Sequence, residues 1–169
     1  IYITAGNHDV YFNQWHEWQE QWGSSTYSFT VTTPLHKDLY ICLETANGTL
    51  GKKQLQWLEK LLDKSAAENY RHKIIFTHTH LFKKDASQGH TSNYALEDTY
   101  YLTNLFAKYG IDWYLCGHDH SREITPLNGV TYITVDALEE HYPNAYYMIA
   151  TIGDQLSYEF VPVGKHNDN

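Results

Sequence analysis

Three short stretches carry side chains that can hold a metal ion: Gly6-Asn7-His8-Asp9, His78-Thr79-His80 and Gly117-His118-Asp119-His120. They gather five of the 11 histidines in the chain. Imidazole is the commonest protein ligand for zinc-like and iron-like ions, and a neutral Asn oxygen suits a divalent ion held by mixed nitrogen and oxygen donors. In Gly117-His118-Asp119-His120 two imidazoles flank one residue. On a regular strand alternate side chains share a face. In a turn that rule relaxes, so the two rings can diverge and serve two adjacent ions. A single His-x-His is a weak signal that also fits a surface turn. The company of the other two clusters, each following an apolar β-like run, points to a shared centre.

The elements that must deliver these clusters can be read in the pattern. Ile1 to Ala5 reads as the end of a strand, with Gly6-Asn7-His8-Asp9 as the turn after it. His72 to Phe76 is apolar and β-branched, a buried strand that ends at Thr77-His78. Ile111 to Cys116 is aromatic, apolar and closed by Gly117. All three clusters therefore stand at the carboxyl ends of strands, the edge of an open α/β sheet where ligands bind.

Between them the chain alternates. Trp15 to Trp22 reads as a short helix whose Trp15, Trp18 and Trp22 form a core-packing stripe, and Gly23 ends it. Thr26–Thr33 and Asp38–Thr45 read as strands. Lys52 to Asn69 is the clearest helix, with Leu55, Leu58 and Leu62 on one stripe and Leu61 beside it. Lys83 to Thr99 is polar and without period, hence a long loop, and loops of that kind beside a site often carry specificity. Tyr100 to Tyr109 returns to helix, with Leu102, Leu105 and Phe106 inward and Gly110 as its stop. Beyond Gly117 the pattern is nearly all β: Arg122–Leu127, Val130–Val135, Ala145–Ile152 and Leu156–Val163. Asn128-Gly129 and Gly153-Asp154 mark antiparallel hairpins.

At 169 residues with 42% hydrophobic content, the chain is long enough for one domain with a real core. We expect one unit over residues 1–163 and a loose tail over 164–169. Its net charge of −8 argues against a nucleic-acid scaffold or an anionic membrane as main partner. Bound cations can nevertheless supply the positive charge that a phosphate needs. No stretch is long and apolar enough to span a membrane. Cys42 and Cys116 each sit in an apolar run and read as buried free thiols rather than a disulfide. The first residue is Ile1, already strand-like, so the start reads as cut.

Gly6-Asn7-His8-Asp9, Ile74-Ile75-Phe76-Thr77-His78 and Gly117-His118-Asp119-His120, in that order, resemble the last three blocks of the calcineurin-like metallophosphoesterases. The segment with Gln54, Trp57, Leu58 and Leu62 is similar to that family's usual helix before the middle histidine. The resemblance spans Gly6 to about Val163. It implies a fold of α/β class, a sandwich of two mixed β-sheets flanked by helices, here N-terminally truncated. It implies metal-dependent hydrolysis of phosphate mono- or diesters by a hydroxide that two metals activate. Asn7, His78 and His118 would hold one metal and His120 the other, with manganese, iron or zinc as the ions. His8 would face the scissile phosphate and protonate the leaving oxygen. The substrate would be a phosphorylated molecule whose class the sequence leaves open.

The family's first two blocks, Asp-x-His and Gly-Asp-x-x-Asp, occur nowhere in the chain. They supply most ligands of the first metal and the aspartate that bridges the pair. The expectation is therefore a chain carrying part of the site, binding at most one metal, with two in the intact parent. Sheet left uncovered by truncation would favour self-association. The alternative is a non-catalytic fragment or degenerate domain that binds at most one metal.

Other candidates are weighed against plainer roles. His80 is either a further contact to metal or substrate or an exposed turn residue. Asp9 and Asp119 read as turn-stabilising carboxylates. Arg122 and His90 can reach a phosphate but read first as surface residues. His16, His36, His72, His141 and His166 have no partners in sequence and read as structural. A metallo-β-lactamase-type site needs His-x-His-x-Asp-His, whereas Leu81-Phe82-Lys83 follows His80. An amidohydrolase-type site would leave the other two clusters unexplained.

Overall fold

A computed structural model describes residues 1–82, 94–138 and 145–163. Six strands form one mixed sheet: β1 (Tyr27–Thr32), β2 (Lys37–Cys42), β3 (His72–Phe76), β4 (Trp113–Cys116), β5 (Glu123–Leu127) and β6 (Val130–Thr134). Their order is β1-β2-β3-β4-β6-β5. The inner pairs β2/β3, β3/β4 and β4/β6 are parallel, and antiparallel pairs close both edges. A second sheet is the antiparallel pair β7 (Tyr146–Ile152) and β8 (Leu156–Pro162).

The helices are α1 (Asn7–Val10), α2 (Trp15–Trp22), α3 (Gly51–Ala66) and α4 (Leu96–Lys108), with a 3-10 turn over Tyr11–Asn13. Period-2 alternation divides the large sheet into two faces. Leu39, Ile41, Ile75, Tyr114 and Tyr132 join Leu58 and Leu62 of α3 and Leu102, Leu105 and Phe106 of α4 in the main core. On the opposite face Ile74, Trp113 and Ile133 pack against Met148, Ile152, Leu156 and Phe160 of the second sheet. The result is the expected α/β arrangement of two layered sheets with helices. No helix among the described residues is long and apolar enough to cross a membrane.

Most elements fall within a residue or two of expectation, and the departures have physical causes. Ile1 to Ala5 is not a strand. Its main chain is held by side chains: the Tyr27 hydroxyl accepts from Ile3 N–H and donates to the Ile3 carbonyl, both at 2.9 Å, and the Cys42 thiol donates to the same carbonyl at 3.7 Å. The helix expected from Tyr100 begins one turn earlier at Leu96, where Glu97 and Asp98 favour the positive end of the helix dipole. The rest of the loop expected over Lys83–Thr99 lies largely outside the described residues, as does the 164–169 tail. Of the tryptophan stripe only Trp18 is buried; Trp22 is 53% exposed, so α2 lies on the surface with one indole inserted. At the Asn128-Gly129 turn both residues have positive φ, 51° and 84°, as a two-residue type I′ hairpin requires. Cys42 and Cys116 are buried free thiols, and burial pushes them up to about 11 and about 12.

Candidate metal centre

Because β2, β3 and β4 are parallel, their carboxyl ends share one edge. Hydrogen bonding continues past the strand ends: Thr77 N–H donates to the Leu115 carbonyl and Gly117 N–H to the His78 carbonyl, both at 2.9 Å. His78 and the Gly117-His118-Asp119-His120 turn are thereby set side by side. A threonine cluster roots this exit in the core. Thr77 Oγ1 donates to the Leu43 carbonyl at 2.8 Å and Thr79 Oγ1 to the Thr45 carbonyl at 2.7 Å. Thr45 Oγ1 lies 2.7 Å from Thr77 Oγ1 and accepts from Thr79 N–H at 2.8 Å. The Tyr114 hydroxyl donates to the Thr79 carbonyl at 2.8 Å. With Thr77 and Thr79 tied inward, the histidines that alternate with them are turned to the opposite side.

The third contributor is the first turn of α1. Gly6 N–H donates to Asp9 Oδ2 at 2.8 Å, and Asp9 N–H to the Gly6 carbonyl at 3.1 Å. Asp9 is thus the turn-stabilising carboxylate that the sequence suggested. Asn7 Nδ2 donates to the Tyr11 hydroxyl at 2.7 Å, which leaves Asn7 Oδ1 facing His78 Nε2 at 2.8 Å. His78 Nε2 in turn lies 3.0 Å from His118 Nδ1. Three atoms with lone pairs therefore converge from three separate turns.

Their spacing fits a shared cation. Ligand bonds of about 2.0–2.1 Å at angles between a right angle and a tetrahedral one put donor atoms about 2.8–3.4 Å apart. The protonation state fits as well. Burial, then the His118 imidazole, push His78 down to about 4, so at neutral pH it is an uncharged ring with a lone pair to give. Asp9, His120 and His8 also act electrostatically on His78. His120 is half-buried and His8 is exposed, its ring 5.2 Å from that of Tyr11. Among the described residues no three His, Cys, Asp or Glu side chains cluster as a metal site. The amide of Asn7 makes the third donor.

The backbone of the glycine-histidine turn is strained. His118 has φ of 75° and His120 of 50°, the left-handed region that costs a non-glycine residue roughly 1–2 kcal/mol. These twists break strand alternation and let the two rings diverge. Between them Asp119 points inward. Its Oδ2 lies 3.1 Å from His80 Nε2, and the two side chains are 1% and 5% exposed. The Asp119 carboxylate therefore reaches across to the neighbouring exit, beyond the turn-stabilising role expected of it. His80 is buried, not an exposed turn residue, and its ring stacks on His118 at 5.9 Å and 24°.

Other histidines lie apart from the trio. His72 Nε2 is 2.9 Å from the Gly153 carbonyl, His16 is beside Glu20 and His36 beside Asp154. His90, His141 and His166 lie outside the described residues. Arg122 holds Asp136 at 3.1 Å and stacks 3.6 Å above the Tyr146 ring, tying the two sheets together. Sequence reasoning missed Tyr11 and the threonine cluster. Tyr11 had a signal, since it stands four residues after Asn7 on one helical turn. Thr45 had none, being 34 residues from Thr79.

Comparison with known proteins follows the same line. The calcineurin-like phosphoesterase family model matches residues 1–122. No curated protein matches the chain. Among solved structures, the chain is similar to a dimetal phosphatase from Danio rerio, with TM-score 0.69 and 14% identity over 95% of this chain and 68% of that one. It is also similar to GAP50, the anchor in the inner membrane complex of Plasmodium, with TM-score 0.50 and 18% identity over 66% of this chain. The match spans 37% of the Plasmodium chain's length. At such identities the shared property is the fold.

Proposed function

This chain belongs to the calcineurin-like phosphoesterase family, and we propose that it hydrolyses phosphate esters at the meeting point of Asn7, His78 and His118, with a divalent cation held by those three. The observation that carries this reading is the approach of their donor atoms to 2.8 and 3.0 Å. A bound manganese, iron or zinc ion supplies Lewis-acid polarisation of a phosphoryl oxygen and a water acidified towards neutrality.

The chain's own residues do the remaining work. His78 stays neutral and keeps a lone pair available. Tyr11 accepts from Asn7 Nδ2 and so keeps the amide oxygen turned to the site. His8, exposed on the first turn of α1, faces the phosphate and gives a proton to the leaving oxygen. His120 offers an imidazole toward a second cation.

The donor set also supports a reading of low activity. Three neutral donors with no carboxylate hold one cation weakly. One imidazole does not hold a second ion against water, since even structural zinc takes four protein ligands. The 169-residue chain therefore binds one cation and turns phosphoesters over slowly. Calorimetric titration with manganese alone, alongside aryl-phosphate hydrolysis, tests this. We expect one site per chain, lost in His118→Ala together with the slow hydrolysis. Unchanged manganese binding in His118→Ala overturns the ligand assignment. Two tight sites with rapid turnover overturn the donor count. One site without any turnover makes the chain a cation-binding domain of the same fold.

A further inference from the structure

We propose that His80 and Asp119 form a latch that holds His118 and His120 in their left-handed backbone conformations and seats the His118 ring, making both of them positioning residues rather than ligands. This rests on the reading of His118 as a cation ligand. Three observations converge on the pair. His80 and Asp119 are almost wholly buried and lie 3.1 Å apart. Asp119 is the residue between the two positive-φ histidines. The His80 ring is stacked on the His118 ring.

The physical argument starts from the strain. A left-handed non-glycine residue persists only where its surroundings over-determine it. Here two such residues flank a single one, and that residue is tied twice. Asp119 N–H donates to the Gly117 carbonyl at 3.0 Å, and its carboxylate meets His80. Gly117 N–H is itself bonded to the His78 carbonyl at 2.9 Å. The partner of the Asp119 carboxylate, His80, comes from the other strand exit. Releasing the carboxylate would leave a buried charge unmatched, and the turn would reopen toward ordinary backbone to hydrate it. The His118 ring would then lose both its backbone direction and the stacked His80 beneath it.

Neither residue needs to touch the cation for this. Outer-shell partners that orient ligands typically cost 10–100-fold in metal affinity when removed. The test uses the full 169-residue chain and manganese alone. Well below the melting temperature, His80→Ala and Asp119→Ala should each weaken manganese binding about tenfold. The double variant should be no worse than either single, because the two act as one device. Asp119→Asn, whose amide oxygen can accept from His80 Nε2, should restore most of the affinity. In the metal-free protein, His118 ring signals in NMR spectra should shift and broaden in His80→Ala and stay near the parent's in Asp119→Asn.

Parent-like manganese affinity in both alanine variants overturns the latch, as do losses that multiply in the double variant. Where an alanine variant fails to fold, His80→Phe and Asp119→Leu, which keep bulk but cannot pair, carry the same comparison. If the parent or His118→Ala shows that His118 binds no cation, the ligand reading fails by itself. The latch is then decided by the His118 signals of the metal-free variants, which an unperturbed spectrum in His80→Ala would overturn.

Discussion

Replacing Gly6 by alanine should weaken cation binding about tenfold and leave the fold intact. Gly6 sits in extended backbone, φ −99° and ψ 167°, which alanine adopts without strain. The added methyl is the whole perturbation. It would stand 3.1 Å from His78 Cε1, 3.2 Å from His78 Nδ1 and 3.2 Å from Asp9 Oδ2. Ordinary contact begins near 3.4 Å, so the imidazole must give way by about 0.3 Å. The ring is rigid, so Nε2, bonded to Cε1, moves with it. Metal sites hold their ligand distances to within about 0.2 Å. A displacement beyond that, at one of three donors, belongs with the outer-shell changes that cost 10–100-fold, about 1.4–2.7 kcal/mol. Stability should change little, because the crowding is offset by the roughly 0.4–1 kcal/mol that Gly→Ala takes from the unfolded chain's freedom. Manganese titration by calorimetry and a thermal melt read the two effects separately. Parent-like manganese affinity in Gly6→Ala would refute the placement of His78 at the cation, and so would an affinity loss that merely tracks unfolding.

Three further outcomes follow from the same geometry. His118→Gly and His118→Ala should both lose manganese binding, but the glycine variant should be the more stable by about 1 kcal/mol in urea melts, because φ of 75° suits glycine; equal stabilities would mean that the turn relaxes once the ring is gone. Tyr11→Phe keeps the ring beside His8 but removes the acceptor for Asn7 Nδ2, so manganese affinity should fall by about 1 kcal/mol with the melting temperature unchanged. The Arg71 guanidinium, bonded to Asp38, holds that carboxyl below the usual carboxylate range. A depressed folded pKa adds stability above the unfolded value near 4 and loses it as pH falls through the folded one. Asp38→Asn should therefore lose less stability than the parent between about pH 5 and pH 3, as urea melts at the two values will show.

How far the sequence reaches differs from element to element. Helix α3 was legible because Leu55, Leu58 and Leu62 repeat at helical spacing and all turn toward one core. Strand β3 was legible because His72 to Phe76 is short, apolar and bounded by polar residues. In both cases the pattern is local and one face is buried, so the periodicity and the tertiary fold agree. Where burial is set from a distance, the pattern misleads. The three indoles of α2 share a face, but only Trp18 is buried. Ile1 to Ala5 looks like a strand, yet what holds it is a tyrosine hydroxyl 24 residues away and the Cys42 thiol beyond it.

The candidate centre divides along the same line. The order of Gly6-Asn7-His8-Asp9, His78 and Gly117-His118-Asp119-His120 was enough to nominate the proposed donors, because the identity of a donor atom belongs to its residue type. Their meeting was set by strand pairing. Parallel β3 and β4 put the exits that carry His78 and His118 on one edge, α1 brings Asn7 to them, and only there does His78 Nε2 lie 2.8 Å from Asn7 Oδ1 and 3.0 Å from His118 Nδ1. The uncharged state of His78 was likewise a matter of burial, which a residue type does not carry. His80 makes the clearest case. Its sequence neighbourhood allows a ligand, a substrate contact or a surface turn. Its place beneath His118 and against Asp119 exists only because strands nearly 40 residues apart in the chain lie side by side.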